Sequence, residues 1–150
     1  MRQNNFRGLN IICTNAHSLF NKLNDLKISV NSFDSKPDII IITEVNAKNF
    51  TEMFTENVYI LPGFNICSCN IGSKGKRGII IYIDVKIKSS VLSPSNSFEE
   101  CLCIEILDKH ITVLTVVAIY RSPNSNNSNN HSLLNFISQV CKKLKVNYYL

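Results

Sequence analysis

The sequence predicts a layered fold of helices packed on sheets, and three observations predict it. The stretch Pro37-Asp38-Ile39-Ile40-Ile41-Ile42-Thr43-Glu44-Val45 holds four β-branched residues in a row and no polar face. Such a strand is covered on both sides and belongs in the middle of a sheet. A strand at Leu9–Cys13 and a helix precede it, so residues 9–45 form a strand–helix–strand crossover with parallel strands. A run of strands then follows without helices between them, and a helix over 131–144 comes after it.

The individual elements follow from spacing and punctuation. Leu9–Cys13 reads as a buried strand ended by Thr14-Asn15. Ser18 is a candidate N-cap for a helix whose Leu19, Leu23, Leu26 and Val30 recur at helical spacing. Residues 46–56 form a short helix or a loop with Phe50, Met53 and Phe54 on its apolar side. Pro62-Gly63 is a turn. Strands are predicted over 64–70, 79–83 and 85–92, the last two pairing locally, with a glycine-rich basic loop over 72–78. Cys101–Leu107 and Ile111–Ile119 form a hairpin across Asp108-Lys109-His110. The asparagine–serine tract 124–130 reads as a loop. In the helix that follows, Leu133, Leu134, Ile137, Val140, Cys141 and Leu144 line one face, and Lys142, Lys143 and Lys145 suit its C-terminal dipole. Val146–Leu150 reads as the beginning of another strand.

Composition bounds the function. A chain of 150 residues with 45% hydrophobic content fits one globular domain. No apolar run approaches the roughly 18–20 residues of a membrane span, and the run after Met1–Arg7 is too short for a signal peptide. A nuclear or cytoplasmic protein with reduced thiols is expected. The formal charge of +5 is compatible with a polyanionic partner. Cys67-x-Cys69 and Cys101-x-Cys103 put both sulfurs of each pair on one strand face, without the spacing of a zinc site, and read as small buried apolar residues.

Polar residues follow the strands at Asn15, Glu44 and Tyr120-Arg121. Asn15 and Glu44 follow the C-terminal ends of parallel strands and so share one sheet edge, where ligands of layered folds bind. Glu44 is either a carboxylate ligand for a hard cation or simply the first solvated residue after a buried strand. Asn15 can hydrogen-bond a nucleophile or a metal-bound water, and Tyr120 and Arg121 can contact a phosphate, arginine through its bidentate fork. The loop over 72–78 with Lys142, Lys143 and Lys145 offers a second reading, a basic nucleic-acid-binding module; otherwise the loop is a solvated hairpin tip.

The order of these pieces carries a resemblance. Asn15-Ala16-His17-Ser18-Leu19 with Asn21-Lys22-Leu23, then Pro37-Asp38 through Thr43-Glu44, Gly63-Phe64, Gly78 through Ile83 and Ala118-Ile119-Tyr120-Arg121-Ser122-Pro123 resemble the endonuclease/exonuclease/phosphatase family. Within it they are similar to the apurinic-type endonuclease domains of non-LTR retrotransposon polyproteins, over about residues 8–150. The resemblance implies an α+β fold of the four-layer sandwich type, a β-sandwich flanked by helices. It implies phosphodiester hydrolysis in DNA with Mg²⁺ or Mn²⁺ as cofactor, and a reverse transcriptase domain C-terminal to it in the parent protein. It makes Glu44 the metal ligand, places Asn15 beside it in the catalytic pocket, sets Tyr120 at the scissile phosphate and leaves Arg121 as a phosphate-binding neighbour.

The departures from the family pattern are specific. Gly-Asp-x-Asn, whose Asp positions the attacking water, is expected after a strand that starts near Val146, and Ser-Asp-His is absent. His17, His110 and His131 take none of these places; His17 stands where such domains often carry Arg. The chain is therefore expected to be a single, C-terminally truncated domain with half of an active site, either part of an endonuclease or a catalytically dead remnant. It is also expected to hold strands for one sheet only, with the faces of Ile39–Ile42, Ile79–Ile83 and Val113–Ile119 uncovered and aggregation as the result.

Overall fold

A computed structural model describes residues 8–49, 54–93, 98–109 and 111–146, the side chains of 143–146 excepted. Seven strands are described: β1 (Ile11–Asn15), β2 (Ile39–Thr43), β3 (Phe64–Cys69), β4 (Ile79–Asp84), β5 (Ser89–Leu92), β6 (Cys101–Asp108) and β7 (Ile111–Ile119). Two α-helices accompany them, α1 (Leu23–Ser32) and α2 (Asn127–Val146). The strands form two sheets, ordered β1-β2-β4-β3 and β5-β6-β7. The pairing of β1 with β2 is parallel, with Asn15 opposite Thr43, and the other pairings are antiparallel.

The two sheets cover each other. Ile39, Ile41, Ile79, Ile81 and Ile83 of the first sheet pack against Leu102, Ile104, Ile106, Val116 and Ala118 of the second. The alternate residues Ile40, Ile42, Ile80 and Tyr82 face the other way and pack with Leu19, Leu26 and Val30. This is the alternation that a strand buried on both faces requires. On the far side of the second sheet Phe98, Cys103 and Phe136 form a third cluster, joined by Leu133 and Val140 of α2. The layers therefore run helix, sheet, sheet, helix: an α+β sandwich of four layers.

This corrects the expectation of a single sheet with uncovered isoleucines. The error arose at 85–92, read as a strand pairing with 79–83. In the structure β4 pairs with β2 and β3, and β5 pairs with β6. Between them Asp84 builds a turn: its carboxylate accepts from the Lys86 amide at 2.9 Å and its carbonyl from the Ile87 amide at 2.8 Å. That turn carries the chain from one sheet to the other.

Four smaller differences have local causes. β1 lies two residues later than predicted and is largely exposed, because it is an edge strand with a neighbour on one side only. Ser18 caps no helix; its amide donates to the Glu44 carbonyl at 2.9 Å, and a 3-10 turn over Phe20–Lys22 precedes α1. The asparagine tract is helical from Asn127, since the Asn126 side chain accepts from the Asn129 amide at 2.8 Å and caps the first turn. The buried face of α2 holds Phe136, stacked near Phe98, whereas Leu134 and Ile137 are exposed. Val146, expected to start a last strand, belongs to α2, and Phe50, Met53, His110 and residues 94–97 and 147–150 lie outside the described residues. All six cysteines are thiols, with Cys67 and Cys69 against the inter-sheet core and Cys101 and Cys103 in the cluster under α2.

Candidate active site at one end of the sandwich

Beyond β1 and β2 the two chain segments stay side by side. The amides of Ala16, Ser18 and Leu19 donate to the carbonyls of Thr43, Glu44 and Val45, each at 2.9 Å. On the other flank Val45 and Asn46 donate to the carbonyls of Gly78 and Arg77 at 3.3 and 2.7 Å. The apolar strands thus deliver three loops to one end of the first sheet. Backbone turns of unusual kind make the delivery possible: His17, Ser18 and Glu44 have φ of 50°, 90° and 53°. Three non-glycine residues in the left-handed region at one spot are costly and concentrate at functional sites.

Glu44 is the hub. Its side chain is 14% exposed. His17 donates from Nδ1 to its Oε2 at 3.0 Å. Arg77 makes an ion pair with the same oxygen through Nη2. Asn15 accepts from the His17 amide through Oδ1 at 3.0 Å, which leaves its NH₂ group to donate to Glu44. Tyr120, arriving from the end of β7, donates its hydroxyl to Glu44 as well. Burial alone pushes the Glu44 carboxyl up. The hydrogen bonds from Asn15, His17 and Arg77 and the Arg77 charge outweigh it and bring it down to about 2, so it is a carboxylate at neutral pH. Burial raises the Tyr120 phenol, and the Glu44 charge and hydrogen bond raise it further.

The structure therefore brings together three of the four residues singled out from the sequence, Asn15, Glu44 and Tyr120. It does not bring in Arg121, whose Nε donates to Asn130 Oδ1 at 2.9 Å, toward α2. Two participants are added. His17 joins the carboxylate, although its side chain is 76% exposed. Arg77, 13% exposed, came from the loop read as a solvated tip. A signal for it lay in the pairing of β4 with β2, which sets the residues before Ile79 beside those after Thr43.

A buried amide holds that loop in place. Asn46, 1% exposed, donates from Nδ2 to the carbonyls of Asn70 and Lys76, both at 2.9 Å. Gly78, with φ of 72°, lies so close that a Cβ there would sit 3.3 Å from Asn46 Nδ2 and from the Asn70 carbonyl. Lys22 Nζ fixes the opposite loop through the Ala16 carbonyl at 2.7 Å. The site is thus held by packed and hydrogen-bonded supports on both flanks.

As a site for a hard divalent cation the arrangement does not fit as it stands. Such an ion takes carboxylate and carbonyl oxygens. Here one carboxylate is offered, four side chains already donate to it, and one of them is cationic. Among the described residues no group of three or more His, Cys, Asp or Glu side chains gathers to hold a metal.

With the fold and the site defined, comparison with known proteins gives one further finding. The endonuclease domain of TRAS1, a telomere-specific non-LTR retrotransposon, matches this chain in structure with a TM-score of 0.62 at 17% identity. The match covers 91% of this chain and 54% of that one, so the chain spans about half of its structural neighbour. The chain has the fold of a retrotransposon endonuclease domain, which bears out the resemblance drawn from its motifs at the level of fold. No family model and no curated protein matches it by sequence. Among the described residues no helix is long and apolar enough to cross a membrane.

Proposed function

We propose that the chain is the N-terminal portion of a DNA endonuclease of retrotransposon type, and that the end of the sandwich around Glu44 is where it meets the phosphodiester backbone. The observation that supports this most is the meeting of Asn15, His17, Arg77 and Tyr120, from three separate stretches of the chain, around the Glu44 carboxylate. In this reading the Tyr120 hydroxyl turns from Glu44 to a phosphate oxygen, Asn15 offers the second N–H of its amide, and His17 and Arg77 supply positive charge or hydrogen bonds beside them. Glu44 orients all four. Magnesium or manganese is the cofactor in this reading, with Glu44 as one of its ligands once its present donors have left it, and a reverse transcriptase domain stands C-terminal to this one in the parent protein. The protein works in the nucleus or cytoplasm.

A second reading, a catalytically silent remnant, draws on the ion pair between Arg77 and Glu44, which commits the carboxylate. The basic-module reading is weaker, because Lys76 of its loop is already paired with Glu99 at 2.6 Å.

The test is binding of a short duplex oligonucleotide by fluorescence anisotropy. Asn15→Ala and Tyr120→Phe are expected to weaken binding by about ten- to a hundredfold each, the loss of one hydrogen bond to a charged group. Ile28→Ser, on the exposed side of α1, is expected to leave it unchanged. Equal affinity in all four proteins would overturn the proposal.

A further inference from the structure

The loop before β4 places a cation where the nuclease reading expects a metal. Arg77 reaches Glu44 Oε2 with Nη2, and the same guanidinium lies 3.5 Å from His17 Nδ1. The arginine is nearly buried, and its Nε is a buried donor with no hydrogen-bond partner. Leaving such a donor unpaired is unfavourable, so the position of the guanidinium is set by something stronger than its own hydrogen bonding. The backbone supplies it. Asn46 clamps the Lys76 carbonyl, the Asn46 amide clamps the Arg77 carbonyl, and Gly78 takes a left-handed turn immediately after. These contacts fix the Arg77 Cα opposite Glu44 whatever the side chain does.

We propose that Arg77 is a resident counter-ion of Glu44, which takes the electrostatic place of a divalent cation and keeps Mg²⁺ and Mn²⁺ off the carboxylate. The inference rests on Glu44 being the pocket's carboxylate ligand, as proposed above. The Arg77 and His17 contacts fall on Oε2, and a divalent cation on either oxygen of so small a group would lie close to the guanidinium, so repulsion opposes metal entry while Arg77 stays. Its exit is opposed by the buried environment on one side and the fixed loop on the other. A pocket built this way binds a phosphodiester through Arg77, His17 and Tyr120 with no added metal, and its DNA affinity is indifferent to chelator.

The experiment is Mn²⁺ titration of the whole chain, followed by water-proton relaxation or electron paramagnetic resonance. Five proteins are compared: wild type, Arg77→Gln, Arg77→Lys, Glu44→Gln and the double variant Arg77→Gln with Glu44→Gln. Arg77→Gln is expected to bind Mn²⁺ about tenfold or more tightly than wild type, the gain vanishing in the double variant. Arg77→Lys, which keeps the charge, is expected to behave like wild type. Circular dichroism and a thermal melt establish that each variant is folded; should Arg77→Gln not fold, Arg77→Met with the same charge change serves in its place. Equal Mn²⁺ affinity in wild type and the neutral variant overturns the inference while leaving Glu44 as a ligand if Glu44→Gln alone abolishes binding. A gain that survives Glu44→Gln overturns the reading of Glu44 itself.

Discussion

Replacing Asn46 with alanine should loosen the candidate site from a position that touches no ligand. The side chain is buried and donates to two carbonyls of the loop that carries Arg77, those of Asn70 and Lys76, both at 2.9 Å. The Gly72 amide approaches its Oδ1 at 3.4 Å, too long to count for much. Two net hydrogen bonds at about 1 kcal/mol each, with two acceptors left in a partly buried setting, put the cost at about 2–3 kcal/mol. For a chain of this size each kcal/mol lowers the melting temperature by roughly 2–4 °C, so a fall of roughly 4–12 °C is expected. Urea denaturation gives the free energy, and hydrogen exchange locates it. The amides of Val45 and Asn46, which donate to Gly78 and Arg77, should lose protection before those of β6 and β7. Asn46→Asp keeps the volume but replaces both donors with an acceptor facing two carbonyls, and should cost at least as much. A change of less than about 0.5 kcal/mol in Asn46→Ala would mean that the loop holds itself, and that the clamp argued here is wrong.

Three further outcomes are expected. Ile104→Ala, at the contact between the sheets, should cost about 2–4 kcal/mol by urea denaturation, while exposed Ile28→Ala stays within about 0.5. Gly78→Ala combines left-handed strain of about 1–2 kcal/mol with contacts at 3.3 Å, so it should lose more stability than Gly75→Ala, where φ is 76° but nothing lies within 4 Å. Burial raises the Asp84 carboxyl, but the Lys36 ammonium at 2.7 Å and the Lys86 amide hold it below the ordinary aspartate value of 3.8. A carboxyl depressed in the folded state stabilises above its unfolded value and loses that contribution as pH falls through its folded one. Acid titration of Asp84→Asn should therefore show a flatter stability curve below about pH 4 than wild type, and parallel curves would contradict the assignment.

The sandwich was partly legible in the sequence. Four consecutive isoleucines announce a strand buried on both faces, and the crossover to it fixes which edge Asn15 and Glu44 share. What periodicity could not show was the sheet change at Asp84. Residues 85–92 alternate well enough for a strand, and only the turn built by the Asp84 carboxylate and carbonyl reveals that the chain leaves one sheet for the other. The open β1 edge was missed for a related reason: apolar residues are common on edge strands, and burial depends on neighbours the local sequence does not name. At the site, strand ends pointed to Asn15, Glu44 and Tyr120. Arg77 stayed hidden because a basic, glycine-rich loop is ordinarily solvated, and its burial depends on Asn46, 31 residues earlier. Arg121 misled in the opposite sense, as an arginine beside Tyr120 that is tied instead to Asn130.

The central claim is that the end of the sandwich around Glu44 meets the phosphodiester backbone. It is tested most directly by titrating a short duplex oligonucleotide into isotope-labelled protein and following backbone amides by NMR. The largest shifts are expected to fall together on Asn15, His17, Glu44, Arg77 and Tyr120, and to persist in excess chelator. Shifts centred instead on the solvent side of α2 around Lys142, with the Glu44 pocket silent, would contradict it.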